Sequence, residues 1–288
     1  MTTIREFAPA KINLTLEVCG KRSDGYYEIE SLVTFADVGD VVDLDIDGAT
    51  GISVSGPFAG GLSGDNILDR ALTLMRDEAP ELALGAVHLE KHLPVAAGIG
   101  GGSADAGALL RAVRAVNSSE SIDWYGLAFA LGADVPVCLR CRPAWMTGIG
   151  HDLCDLSGQV PSLSAVLVNP MAAVPADKTA RVFRALGAPP LPASHSVGAE
   201  PLFQSRSDLI DYMRGRGNDL AGAATSVVPE IEQVLAVLAA APAVEYAAVS
   251  GAGPTCFGIF PDFQTAKAAQ CVIAAEQPRW WTVATTLG

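Results

Sequence analysis

Residues 94–107, PVAAGIGGGSADAG, place glycine at 98, 100, 101 and 102 between a strand-like segment (87–93) and a helix-forming run (104–116). Few folds accept such a stretch. Clustered glycines let the backbone reach positive φ and approach a ligand closely. The first amides of the helix behind them have no partner inside the helix, and the helix dipole favours an anion there. Ser103 reads as the N-cap. Strand, glycine loop and helix together predict a site for phosphate, and most simply for a nucleotide.

Two familiar glycine motifs fit poorly. No Gly-Lys-Ser or Gly-Lys-Thr follows, so this is not a Walker A loop. A dinucleotide fold places an acidic residue about 20 residues on, at the end of a strand. Asp123 stands near that distance but follows Asn117-Ser118-Ser119 and precedes a helix. A glycine-rich turn with no ligand is the bland alternative, and four glycines at a helix start count against it.

The 288 residues suit one large or two medium domains, and half of them are hydrophobic, enough for a sizeable core. The net charge of −13 opposes non-specific binding to nucleic acid or to an anionic membrane. An anionic substrate would need a local basic patch, for which Lys11, Lys21, Arg22 and Lys91 are at hand. No apolar run approaches the ~20 residues that span a bilayer, and the first residues, MTTIREFAPAK, do not read as a signal peptide. A cytoplasmic protein with reduced cysteines is expected. Cys138 and Cys141 form a C-x-x-C, with His151 and Cys154 nearby. A second metal-spaced pair is missing, and the surrounding VPVCLRC is apolar, so two buried structural cysteines are expected.

The pattern along the chain predicts strands at 12–18, 26–37, 41–46, 144–147, 165–169, 246–250, 256–260 and 280–284. Helices are expected over 66–78, with Asp65 as a cap, and over 104–116, 122–131, 177–186, 208–213, 229–240 and 263–275. Residues 187–201, rich in proline and unpatterned, read as a mobile surface loop. A boundary near 150–163 divides the chain into domains 1–158 and 159–288.

Three further clusters invite chemistry. In APAKIN, Lys11 and Asn13 share one face of a strand; a solvated lysine is the plain alternative to a phosphate contact. In LGADVPV, Asp134 stands between a helix-ending glycine and an apolar segment, as a turn or capping residue or as a partly buried base. In SGAGPT, Gly251 and Gly253 lie between two strands, as a hairpin loop or as a second close approach to a ligand.

These clusters and their order resemble the GHMP kinases, named after galactokinase, homoserine kinase, mevalonate kinase and phosphomevalonate kinase. The family's glycine pattern matches 94–103, with Ile99 for the usual leucine, and its carboxyl-terminal glycine motif matches 250–255. The segments APAKINLTLEVCGKRSDGYYEIESLV, GGGSADAGALL and LGADVPVCL resemble the branch acting on a cytidine-diphosphate-linked methylerythritol. The resemblance implies an α+β fold of two domains, ribosomal-S5-like at the amino terminus and ferredoxin-like at the carboxyl terminus. It implies ATP and Mg2+ as cofactors and a small-molecule alcohol as substrate, with no nucleic-acid or membrane partner, in a monomer or weak homodimer.

By the same resemblance, Lys11 and Asp134 are the catalytic pair. The ATP loop is Pro94, Val95, Ala96, Ala97, Gly98, Ile99, Gly100, Gly101, Gly102, Ser103 and Ala104. Asn13, Tyr26, Tyr27, Thr179, Gly251 and Gly253 fall on the substrate side. The family's Gly-Tyr-His is here Gly25-Tyr26-Tyr27, so Tyr27 replaces a histidine that bonds the cytosine edge while Tyr26 stacks on the base. Another kinase of the family, of homoserine or mevalonate type, and a nucleotide-binding regulator without catalysis are the competing readings; the presence of both Lys11 and Asp134 speaks against the second.

Overall fold

The computed structural model describes residues 3–61, 66–117 and 122–288. In chain order these form β1 (Thr3–Asn13), β2 (Glu17–Lys21), β3 (Tyr27–Asp45), β4 (Gly51–Ser55), α1 (Ile67–Glu78), β5 (Ala86–Glu90), α2 (Gly101–Val116), α3 (Trp124–Leu131) and α4 (Val135–Arg140). There follow β6 (Ala144–Thr147), β7 (Asp152–Cys154), β8 (Leu163–Asn169), α5 (Lys178–Leu186), α6 (Arg206–Arg216), α7 (Ala221–Val227), α8 (Glu230–Ala240), β9 (Tyr246–Val249), β10 (Cys256–Phe260), α9 (Phe263–Glu276) and β11 (Trp281–Leu287).

The chain packs into two compact units, and neither is a single run of sequence. The first holds Met1–Lys11, Val38–Val95 and Gly100–Arg142; the second holds Ile12–Asp37, Ala96–Ile99 and Pro143–Gly288. The strands expected at 26–37 and 41–46 form one continuous strand, β3. Its first part belongs to the second unit and its remainder to the first.

In the first unit, β3 pairs antiparallel with β5 through Val41–Asp45, and β4 runs parallel to β5. Val42 and Leu44 are buried while Asp43 and Asp45 stay partly exposed, the alternation that a one-sided strand requires. Asn66 caps α1 by accepting from the Leu68 amide at 3.1 Å; Asp65, the expected cap, lies outside the described residues. The middle of α2, from Ala104 to Leu110 with Ala112 and Val113, is buried, and α1, α3 and α4 pack around the helix. Arg111 of α2 fastens this cluster, donating to Glu6 Oε2 and to the carbonyls of Phe7 and Cys138 at 2.6–2.7 Å.

In the second unit, β11, β8, β10 and β9 form an antiparallel sheet in that order. With α5 to α8 between β8 and β9, and α9 between β10 and β11, this is the ferredoxin-like split βαβ arrangement. Val166 and Val168 of β8 meet Ile231, Val234 and Leu238 of α8 and Ala266, Ala269 and Ile273 of α9 in one core. Helix α7 was not expected, since AGAATSV carries no amphipathic stripe of its own. Residues 187–201 are irregular but tied down: Lys21 N donates to Pro189 O, Leu191 N to Lys21 O, and Gly198 N to Glu30 Oε1.

Candidate active site

The first unit brings Lys11 and Asp134 together. Lys11 ends the first-unit part of β1 and is buried; its Nζ lies 2.7 Å from Asp134 Oδ1. Asp134 occupies the N-cap position of α4, yet its side chain makes no capping bond. The carboxylate faces the ammonium instead and remains 41% exposed. A capping role is thereby removed, and a carboxylate acceptor open to a ligand is left.

Helix α2 begins three residues earlier than the sequence pattern suggests. Gly100, not Ser103, is the N-cap, in the left-handed conformation with φ +66°. A Cβ at Gly100 would stand 3.0 Å from Lys11 Cβ. The glycine therefore serves two needs at once, a backbone turn closed to L side chains and a close approach to the lysine. Ser103 sits inside the first turn, half-buried, so its hydroxyl is available to a ligand at the helix start. The Gly100 carbonyl accepts from Ala104 N at 2.7 Å. The amides of the preceding residues in this turn are the unpaired donors that suit a phosphate.

Beneath this turn lies a buried triad that the sequence reading missed. Lys91 Nζ donates to Asp40 Oδ2 at 2.5 Å and to Asp105 Oδ2 at 2.7 Å, and all three side chains are buried. Asp40 Oδ1 also accepts from the His92 and Leu93 amides at 2.6 and 2.8 Å. Burial opposes the charge on Lys91, but Asp105 and Asp40 outweigh it and hold the ammonium above the usual lysine range. Burial in turn pushes the Asp105 carboxyl up, against the pull of Lys91. Lys91 is thus not part of a basic surface patch. It bolts the end of β5 to α2. Arg22 is likewise engaged, with Asp24 and Glu28 at 3.1 and 2.9 Å.

The second unit gathers the other residues. Asn13 donates to Ser31 Oγ at 2.8 Å through its side chain, and its backbone N–H donates to Ser250 Oγ at 3.1 Å. The turn 250–255 is braced from several sides. Asn218 Nδ2 donates to the carbonyls of Val249 and Gly251, Lys178 Nζ to Gly253 O, and Thr255 N to Ala97 O. Gly98 approaches so near that a Cβ there would fall 2.1 Å from Gly253 O. Ala96 to Ile99 and the turn 250–255 therefore pack as a pair of loops. Lys178 is buried without an acidic partner among the described residues, and burial lowers its pKa to about 8. Thr179 beside it is exposed on the first turn of α5.

Tyr26 projects 60% exposed. The Tyr27 ring stacks on Phe183 of α5, centroids 4.9 Å apart and planes 27° apart. Phe183 was not singled out from sequence, since its position in an amphipathic helix reads as core. Of the C-x-x-C expected to be buried, Cys138 is buried and Cys141 only partly so. Cys138 is buried in α4, where burial, then the Asp134 charge, raises its thiol far above the usual range, the reverse of a redox cysteine. Cys141 is the left-handed C-cap of that helix.

Residues 66–142 match the family description GHMP kinases N terminal domain, and residues 200–278 match GHMP kinases C terminal. This chain is a GHMP kinase. Among similar proteins, the 4-diphosphocytidyl-2-C-methyl-D-erythritol kinase of Dinoroseobacter shibae is 44% identical over 99% of this chain and 95% of its own. The kinase of the same name from Rhodopseudomonas palustris is 42% identical over 99% and 97%. A crystal structure of 4-(cytidine 5'-diphospho)-2C-methyl-D-erythritol kinase superposes with a TM-score of 0.76 at 32% identity, covering 99% of each chain. The α+β GHMP kinase fold and the ATP-dependent kinase class stand on these matches together with the sheet order above. No helix among the described residues is long and apolar enough to cross a membrane.

Proposed function

We propose that this GHMP kinase transfers the γ-phosphoryl group of ATP to the 2-hydroxyl of 4-diphosphocytidyl-2-C-methyl-D-erythritol, a step of non-mevalonate isoprenoid precursor biosynthesis. The observation that carries the reading is the 2.7 Å contact between buried Lys11 and half-open Asp134, beside the glycine start of α2. The relatives that bear this kinase name match the chain nearly from end to end.

Phosphoryl transfer asks a protein for positioning and charge stabilisation more than for covalent chemistry. The substrate oxygen forms a bond to the γ-phosphorus, the bond from that phosphorus to the β–γ bridging oxygen breaks, and ADP leaves. Asp134 accepts the hydroxyl proton. Lys11 stabilises charge on the transferring group. Residues 94–104 hold the ATP phosphates, through the first amides of α2 and Ser103. On the substrate side, Tyr26 stacks on the cytosine, Tyr27 bonds its edge, and Asn13, Thr179, Gly251 and Gly253 complete the contacts.

Mg2+ supplies charge neutralisation on the phosphates when bound. Asp134 and Ser103 fit a magnesium shell sparingly, since Asp134 Oδ1 is engaged by Lys11 and no cluster of three acidic, histidine or cysteine ligands includes Asp134 among the described residues. A bound Mg2+ would then take its ligands largely from the nucleotide phosphates and water. We assign the family's two sequence domains to 1–158 and 159–288. The protein works in the cytoplasm on a small molecule, as a monomer or weak homodimer, without nucleic acid.

The test is ADP release with 4-diphosphocytidyl-2-C-methyl-D-erythritol, homoserine and mevalonate in parallel. Turnover with the first alone supports the proposal. Turnover with either of the others and not with the first rejects it.

A further inference from the structure

Away from the residues described above, Cys19, Glu30 and His195 converge within the second unit. A sulfur, a carboxylate oxygen and a ring nitrogen from the three lie within 4.8 Å of one another. They come from β2, β3 and the irregular segment after α5, so their meeting is a product of tertiary folding.

Each of the three is placed deliberately. β2 pairs with β3 with a register shift between Val18 and Gly20, so Cys19 is the bulged residue and its side chain is re-aimed out of the regular alternation. Glu30 is 7% exposed. It accepts from Gly198 N at 2.8 Å, but no lysine or arginine lies within ion-pair distance of it among the described residues. Neighbouring Glu17 and Glu28 are, by contrast, matched with Arg216 and Arg22. His195 is set by a turn in which its backbone N–H donates to Pro192 O at 2.9 Å, and its Nε2 is buried without a hydrogen-bond partner.

A buried carboxylate whose nearest acting cation, Arg216, is paired directly with Glu17 instead, and a buried ring nitrogen without a partner, each cost free energy. One cation satisfies both, and a thiol alongside selects its kind. Sulfur, imidazole nitrogen and carboxylate oxygen together suit Zn2+ and not the oxygen-seeking Mg2+ or Ca2+. We infer that Cys19, Glu30 and His195 bind one zinc-type divalent cation, which clips residues 187–201 to the β2–β3 pair. Three protein ligands leave a fourth position for water. His195 also lines a cavity of about 690 Å³ with Lys21, Arg22 and Leu191.

The experiment uses the full chain, stripped with a chelator and titrated with Zn2+ against a chromophoric zinc indicator. Co2+ absorption serves as the second probe. One equivalent should bind, a thiolate–cobalt band should appear, and Zn2+ should raise the melting temperature, since a ligand held only by the folded state stabilises it. Cys19→Ser should abolish the cobalt band. His195→Gln should weaken Zn2+ binding more than about 10-fold, because even outer-shell partners of a metal cost about 10–100-fold. Cys154→Ser and Cys271→Ser, which alter exposed thiols, should bind as the wild type does. No binding by the wild type, or full-strength binding by either Cys19→Ser or His195→Gln, overturns the inference. Melting of each variant without metal shows that its fold is intact.

Discussion

Lys11 Nζ stands 2.7 Å from Asp134 Oδ1, with the lysine 5% exposed and the aspartate 41%. The asymmetry sets what each partner does. Lys11 is held by its surroundings and cannot swing away, whereas Asp134 keeps a face toward solvent and so toward a ligand.

Asp134→Asn should lower kcat by about 10²–10⁴-fold, the usual worth of general-base help. The amide is nearly isosteric, so ATP binding and the melting temperature should change little. Steady-state kinetics with an ADP readout, alongside calorimetric ATP titration, decide it. Near-normal kcat would remove Asp134 from the mechanism.

Gly100 and Gly101 should respond differently to alanine. Gly100 has φ +66° and a Cβ would stand 3.0 Å from Lys11 Cβ; Gly101 is not left-handed, and its Cβ would meet Lys91 Nζ at 3.3 Å, a tight contact without the φ penalty. The left-handed conformation costs an L residue about 1–2 kcal/mol. Gly100→Ala should therefore reduce both stability and kcat, and Gly101→Ala should mainly raise the KM for ATP. The same loss from both would show that the loop tolerates no side chain for a reason other than φ.

Tyr26→Ala should raise the KM for the cytidine substrate by about 5–150-fold, as a lost base stack of about 1–3 kcal/mol implies. Tyr27→Phe keeps the stack on Phe183 and removes one neutral hydrogen bond, worth about 0.5–1.5 kcal/mol. Its effect should be the smaller, and the ATP KM should stay constant in both. A Tyr26→Ala enzyme with unaltered substrate KM would rule out the stacking role.

Lys91→Met should destabilise the protein by about 3–5 kcal/mol, because it leaves Asp40 and Asp105 as buried carboxylates without their cation. Chemical denaturation measures the loss. The double change Lys91→Met with Asp105→Asn should recover part of it, and no recovery would mean that packing and not charge dominates at this position.

Lys178 predicts a pH dependence. Burial lowers its folded-state pKa from 10.5 to about 8. Between those values the unfolded chain binds more protons than the folded one, so stability rises with pH across this window. Below about 8 both states carry the charge, and the burial cost is present in full, of order 3 kcal/mol for a shift of this size. The stability of wild type relative to Lys178→Met should therefore improve from pH 8 toward 10. A flat difference would mean that the ammonium is adequately solvated by Gly253 O and its surroundings.

The sequence by itself determined the local chemistry: a glycine loop opening a helix, a lysine on an apolar strand, an aspartate before Val-Pro-Val, and the strands and helices whose apolar spacing is strong. These are short-range signals, set by backbone sterics and by one-sided burial. Tertiary structure decided what no window of residues contains. Lys11 meets Asp134, and Lys91 is drawn between Asp40 and Asp105 instead of reaching toward an anion, because partners far apart in sequence supply the counter-charge. The helix start moved from Ser103 to Gly100, since close packing against Lys11 and a left-handed turn outweigh the capping preference of a serine. β3 runs unbroken through Asp37–Asp40 because Asp40 is buried against Lys91 and two amides, so a charge that reads as a loop in sequence is satisfied within the fold.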